Sequence, residues 1–129
     1  MSKATLQPTL QRRPLVKQLL KDANDDLLVI AGLGSSNWDI TAAGDRPLNM
    51  PLWGAMGAPV AMGLGLALAQ PTRRVLVITG DGDMLMSLGS LATVATQQPE
   101  NEKSHFCGIR ARSSSESWEF GTNKTISIG

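Results

Sequence analysis

Val75-Leu-Val-Ile-Thr-Gly-Asp-Gly-Asp83 is the stretch that decides the fold. An apolar run ends abruptly in an acidic glycine turn, and a helix-like segment follows from Met84 to about Gln98. Short runs that are apolar on both faces suit strands buried in a parallel sheet. A strand that opens through glycines onto a helix N-terminus aims backbone N–H groups at a phosphate. Asp81 would repel a bare phosphate, so the pattern makes sense with a divalent cation between the two. Magnesium fits that role, because it binds through one or two carboxylates together with substrate phosphate oxygens. The turn therefore points to a metal-bridged diphosphate.

Working outward, Leu27-Leu-Val-Ile-Ala31 reads as a second buried strand of the same kind, and Gly32 to Asn37 as a glycine-serine turn after it. Gly57 to Gln70 is rich in small and apolar residues and reads as a buried helix that Pro71 stops. Residues 38–56, with Pro47 and Pro51, are expected to form an irregular loop over the top of the sheet. Near the start, residues 12–22 place Leu15, Val16, Leu19 and Leu20 on one helical face, with Pro14 in the first turn. In the last helix Leu88, Leu91, Ala92 and Ala95 follow core spacing. The order α-β-loop-α-β-α predicts a three-layer α/β/α domain with a parallel sheet.

Composition bounds the reading. The 129 residues suffice for one modest core, and 42% are hydrophobic. A net charge of +1 gives no electrostatic case for nucleic acid or an anionic membrane. The single cysteine excludes an internal disulfide and fits a reduced, cytoplasmic setting. Met1 to Gln11 lacks the apolar core of a signal peptide, and the apolar stretch Ala58 to Ala69 is too short to span a bilayer.

Residues 101–129 differ in kind. They hold the only histidine (His105), the only cysteine (Cys107), both phenylalanines and a serine-rich interruption at 113–117. No buried strand is apparent there, so the fold is expected to be incomplete at its C-terminus, with 1–100 the ordered domain and 101–129 a divergent, disordered tail. A catalytic thiol needs a base and an orienting group. Nothing in the sequence fixes these around Cys107, which reads as an ordinary residue.

Gly80-Asp-Gly-Asp-Met-Leu-Met-Ser-Leu-Gly-Ser-Leu-Ala-Thr93 resembles the start of the cofactor signature of thiamine-diphosphate enzymes. The resemblance implies Asp81 as magnesium ligand and Gly80, Gly82 and Asp83 as diphosphate-contacting positions. Trp53-Gly-Ala-Met-Gly57 resembles the segment that grips the aminopyrimidine half of the cofactor. It implies that the Gly54 carbonyl accepts from the exocyclic amino group, with Ala55 beside it. Met56 would wedge between the two rings and bend the cofactor, bringing the amino group against the thiazolium carbon. Gly34, Ser35 and Ser36 resemble the family's first diphosphate loop. A dinucleotide fingerprint is the rival, but Asn37 replaces its third glycine and residue 52, near the ribose-binding acid, is leucine.

The match runs from about Leu27 to Asn101. With Asp45-Arg-Pro-Leu-Asn49 and Leu64-Gly-Leu-Ala-Leu-Ala69 it is nearest the beta subunits of sulfopyruvate and phosphonopyruvate decarboxylases. Those enzymes divide pyrimidine-binding and diphosphate-binding domains between chains. The resemblance implies a 2-oxoacid decarboxylase using thiamine diphosphate and Mg2+, with a small 2-oxoacid substrate. A pyrimidine-binding (alpha-type) partner subunit would supply the activating glutamate, within an oligomer. No catalytic residue is assigned to this chain itself. The signature closes with a second metal ligand, an asparagine about one βα unit downstream. Asn101 comes too early and Asn123 too late, which suggests truncation or a shifted frame after about Glu100. The alternative is a non-catalytic, degenerate subunit that acts only by packing against a partner chain.

Overall fold

The computed structural model describes residues 11–97, and beyond them the strand backbones 106–111, 117–122 and 126–128. Three parallel strands form the core sheet: β1 (Leu27–Ala31), β2 (Asn49–Pro51) and β3 (Arg74–Ile78), in the order β2-β1-β3. Leu27 pairs with Arg74 and Ala31 with Ile78, so β1 and β3 end level with each other. All residues of β1 are buried.

Side-chain alternation assigns the two faces. Leu27, Val29 and Ala31 of β1 and Leu76 and Ile78 of β3 point to one face, where they meet Val16 and Leu20 of the first helical segment and Ile40. That layer is α1 (Arg12–Leu19) and α2 (Ser35–Ala43). Leu28, Ile30, Val75 and Val77 point the other way, against Val60, Leu64 and Ala67. That second layer is α3 (Pro59–Ala69), with Leu91 and Val94 of α5 (Ser90–Gln97) packed on it. A short α4 (Asp81–Met86) follows β3 directly. The three-layer α/β/α reading holds.

Of the core face expected in the last helix only Leu91 packs inward, with Val94, while Leu88, Ala92 and Ala95 are exposed. Three further expectations need correction. Residues 38–56 are not wholly irregular: they contain most of α2 and all of β2. Ser-Ser-Asn-Trp-Asp-Ile-Thr-Ala-Ala shows no apolar stripe and uses residues that favour turns, so tertiary contacts rather than propensity hold α2 together. β2 is only Asn-Met-Pro, half-exposed at the sheet edge, where a proline is tolerated. The helix expected over 84–98 begins earlier and is broken at 87–89, where Gly89 interrupts it and the Ser90 hydroxyl donates to the Ser87 carbonyl at 2.6 Å. Its expected last residue, 98, lies outside the described residues.

The third correction concerns the tail. β4 (Phe106–Ala111), β5 (Ser117–Thr122) and β6 (Ile126–Ile128) form an antiparallel meander, in a segment whose composition predicts no strand. His105, Asn101 and Asn123 lie outside the described residues. Among the described residues no helix is long and apolar enough to cross a membrane.

Candidate functional site

Because the three core strands are parallel, the segments that follow them emerge at one end of the sheet. Ligands bind beyond the carboxyl ends of strands in such folds. The candidate cofactor-binding residues all lie there: Gly34, Ser35 and Ser36 after β1, Gly54, Ala55 and Met56 after β2, and Gly80 to Asp83 after β3. The first segment is tied to the third strand by Gly32 N–H donating to the Ile78 carbonyl at 2.7 Å. It is tied to the second segment by Leu52 N–H donating to the Ala31 carbonyl at 2.9 Å.

Each segment carries a backbone feature that its sequence explains. Gly34 caps α2 at φ 98°, a left-handed conformation open to glycine and strained for other residues. No side chain caps α2, and within its first turn Asn37 N–H donates back to the Gly34 carbonyl at 3.2 Å. Ser36 is buried and Ser35 only partly so, which leaves Ser35 the more accessible of the two hydroxyls. In the second segment Ala55 has φ 56°, the only non-glycine among the described residues with positive φ. Strain of this kind, about 1–3 kcal/mol, concentrates at functional sites. Gly57, at φ 91°, completes the bend, and a Cβ there would stand 3.1 Å from Met86 Cβ of α4.

Met56 is 45% exposed, and its methyl group reaches the glycine turn: a Cβ on Gly82 would lie 3.4 Å from it. The loop expected to grip a pyrimidine and the turn expected to hold a diphosphate are thus in contact across the sheet end. Beside them, Trp38 and Trp53 meet edge to face with centroids 5.1 Å apart. Both rings stay more than half exposed.

The two aspartates of the turn have different surroundings. Asp81 lies in the first turn of α4 and is partly exposed. Asp83 is buried, and both its carboxylate oxygens have protein partners. Gly57 N–H donates to Oδ1, and the Thr79 hydroxyl donates to Oδ2 at 2.7 Å. Of the pair, Asp81 is the more accessible to solvent. Among the described residues no three His, Cys, Asp or Glu side chains gather as a metal cluster.

Several residues went unmarked in the sequence. Asn37 is fully buried, donates through Nδ2 to the Leu52 carbonyl at 2.9 Å, and leaves Oδ1 without a partner among the described residues. A diphosphate offers no proton, so this acceptor matches a donor such as water rather than the phosphate itself. Asp39 is buried in α2 and is held by Arg12 and Arg13, fixing α1 against the helix that starts at Gly34. Nothing in the local sequence of α2 announces either role. Gly32 and Thr79 flank the Asp83 carboxylate, and nothing in their local sequence announces that.

Comparison with known proteins bears on this geometry. Residues 33–101, more than half of the chain, match the family described as thiamine pyrophosphate enzyme, C-terminal TPP binding domain. The chain belongs to that family. It is 46% identical over 77 residues to the sulfopyruvate decarboxylase beta subunit of Methanothermobacter thermautotrophicus, covering 60% of this chain and 41% of that protein. It is 41% identical over 86 residues to a phosphonopyruvate decarboxylase of Streptomyces viridochromogenes, covering 67% of this chain and 21% of the relative. The beta subunit from Methanocaldococcus jannaschii is 33% identical over 91 residues, covering 70% and 48%. The chain thus matches less than half the length of each of these relatives. The cofactor-binding fold is the part they share with it.

Proposed function

We propose that this chain is the diphosphate- and magnesium-binding half of a thiamine-diphosphate-dependent 2-oxoacid decarboxylase, a carbon–carbon lyase of the cytoplasm. The observation that carries the reading is the convergence of three glycine-bearing segments at one sheet end, with Gly57 N–H of the second bonded to the Asp83 carboxylate of the third. When bound, thiamine diphosphate supplies a nucleophilic carbon and an electron sink for decarboxylation.

The chain's own residues bind and orient. Gly34, Ser35 and the first turn of α2, together with the Gly80–Asp83 turn, would hold the diphosphate. Asp81 would hold Mg2+. Gly54 and Ala55 would offer backbone to the aminopyrimidine, and Met56 would support the cofactor between its two rings. The strained φ of Ala55 fits a loop shaped for a ligand rather than for its own stability.

The carboxylate that activates the aminopyrimidine would come from a pyrimidine-binding alpha-type partner; residues 11–97 contain no glutamate. The exposed apolar side chains Trp38, Trp53, Met56, Leu85, Met86 and Leu88 suit burial by such a partner in an oligomer. That two of the relatives are themselves named beta subunits favours the same arrangement. Nucleic acid and membrane are not among the partners.

The test is cofactor binding by calorimetry with and without magnesium, followed by carbon dioxide release from pyruvate, sulfopyruvate and phosphonopyruvate. The expected outcome is magnesium-dependent binding and no turnover by the chain alone. Turnover without a partner would overturn the half-enzyme reading. Absence of binding would favour a subunit that only packs against its partner, a reading favoured by the absence, among the described residues, of any group of three His, Cys, Asp or Glu able to hold a metal ion.

A further inference from the structure

We propose that Asp83 is a positioning residue, a buried latch that sets the loop 53–58 against the Gly80–Asp81 turn, and that its carboxylate contacts neither cation nor phosphate. The inference rests on the thiamine-diphosphate reading for its consequence but not for its geometry. Three segments meet at this one side chain. From the second segment, Gly57 N–H donates to Oδ1. From the end of β3, the Thr79 hydroxyl donates to Oδ2 at 2.7 Å. From the first, Gly32 contributes the space: a Cβ there would overlap Asp83 Oδ2 and press on Thr79 Oγ1 at 2.9 Å.

The chemistry explains why one residue can do this. A buried carboxylate must have its oxygens hydrogen-bonded, and bonds to a charged acceptor are stronger than neutral ones. Satisfying Asp83 therefore requires Gly57, Thr79 and Gly32 to stay where they are. Gly57 follows directly on Ala55 and Met56, so the bond fixes the end of the strained loop that faces the aminopyrimidine. Asp81, two residues earlier on the same turn, faces the diphosphate. The latch thereby sets the spacing between the two halves of the cofactor site.

Two probes separate this role from direct contact. Inorganic diphosphate with magnesium occupies only the phosphate end, whereas thiamine diphosphate with magnesium also needs the loop. In the full chain, Asp83→Ala is expected to weaken thiamine diphosphate by about tenfold or more, from loss of a charge-assisted bond, and to leave magnesium diphosphate nearly unchanged. Asp83→Asn keeps an acceptor for Gly57 and can donate to Thr79, so it is expected to restore thiamine diphosphate binding. Gly32→Ala, which displaces the carboxylate, is expected to mimic Asp83→Ala.

Amide hydrogen exchange in the ligand-free chain reads the latch directly. Residues 53–58 should exchange about tenfold faster or more in Asp83→Ala, with β1 and β3 unchanged and Asp83→Asn like wild type. Equal loss of both probes would place Asp83 at the diphosphate and overturn the proposal. So would unchanged exchange over 53–58, or an Asn variant no better than Ala. If Asp83→Ala fails to fold, the Asn and Gly32→Ala variants distinguish the same two roles. Failure of wild type to bind either probe would sink the cofactor reading, and the exchange series would still decide the latch.

Discussion

The two ends of the core sheet use the same kinds of residue in opposite ways. At the amino end of the strands, Arg74 pairs with Asp26 at 3.2 Å, each side chain about one-third exposed. Arg46 donates to the carbonyls of Asn24 at 2.6 Å and Leu27 at 3.2 Å. At the carboxyl end, Asp83 is buried with its oxygens bonded to Gly57 and Thr79, and Asp39 is buried within the helix that starts there. Water competes for the first set of charges and not for the second. Charges in water tolerate displacement, whereas buried ones dictate where their partners must be. The difference locates the precision of this molecule at the end where the strained Ala55 and left-handed Gly34 and Gly57 also lie.

The largest expected effect breaks the carboxyl end at its partly exposed aspartate. On the proposed function, Asp81→Ala should abolish the thermal shift that thiamine diphosphate plus magnesium gives the wild-type chain, since the cation that neutralises the diphosphate would lose its side-chain ligand. An unchanged shift would make Asp81 a turn residue. Next comes Asp39→Ala, which leaves Arg12 and Arg13 without their shared buried carboxylate. Arg12 is 26% exposed and can partly rehydrate, so the loss should be about 2–3 kcal/mol, somewhat below that for a fully buried pair. Urea unfolding measures it, and a loss no larger than that of a surface pair would show that α1 is held by its apolar face alone.

Gly57→Ala should cost about 1–2 kcal/mol from its left-handed φ and its approach to Met86. That substitution also sharpens the comparison, because the strain falls on the loop without removing any charge. A loss confined to stability, with cofactor affinity intact, would mean that Ala55 and Met56 hold their geometry independently of the bend.

How much of the fold is legible in the chain follows from which interactions are local. β1 is legible to the residue, and β3 to within one, because a buried parallel strand is an uninterrupted apolar run. α3 is legible from its small-residue pattern and flanking prolines. α2 and β2 are not, since Asp39 and Asn37 are fixed by Arg12, Arg13 and Leu52, contacts distant in sequence. The strands of 106–122 pair with one another in antiparallel register, and their mixed polar composition carries no buried-strand signal. The candidate site is legible as three glycine-rich segments. That Asp83 turns inward while Asp81 does not is invisible, because neighbouring identical residues differ only in what the fold places around them.

The smallest effect belongs to the amino end and is the control for the rest. Asp26→Ala removes the carboxylate from Arg74 Nε, but the Arg74 guanidinium keeps a long contact of 3.5 Å to Asn24 Oδ1 and free access to water. Both side chains keep about a third of their surface in water, so the pair contributes less than about 1 kcal/mol and should weaken further as salt screens it. The backbone is not at risk either, because Arg74 N–H donates to the Asp26 carbonyl at 2.9 Å and that bond survives the substitution. Denaturation of Asp26→Ala at low and high salt should therefore show a small difference from wild type that shrinks with salt. A loss approaching that of Asp39→Ala would mean that the amino end is as tightly specified as the carboxyl end, and the contrast between them would fail.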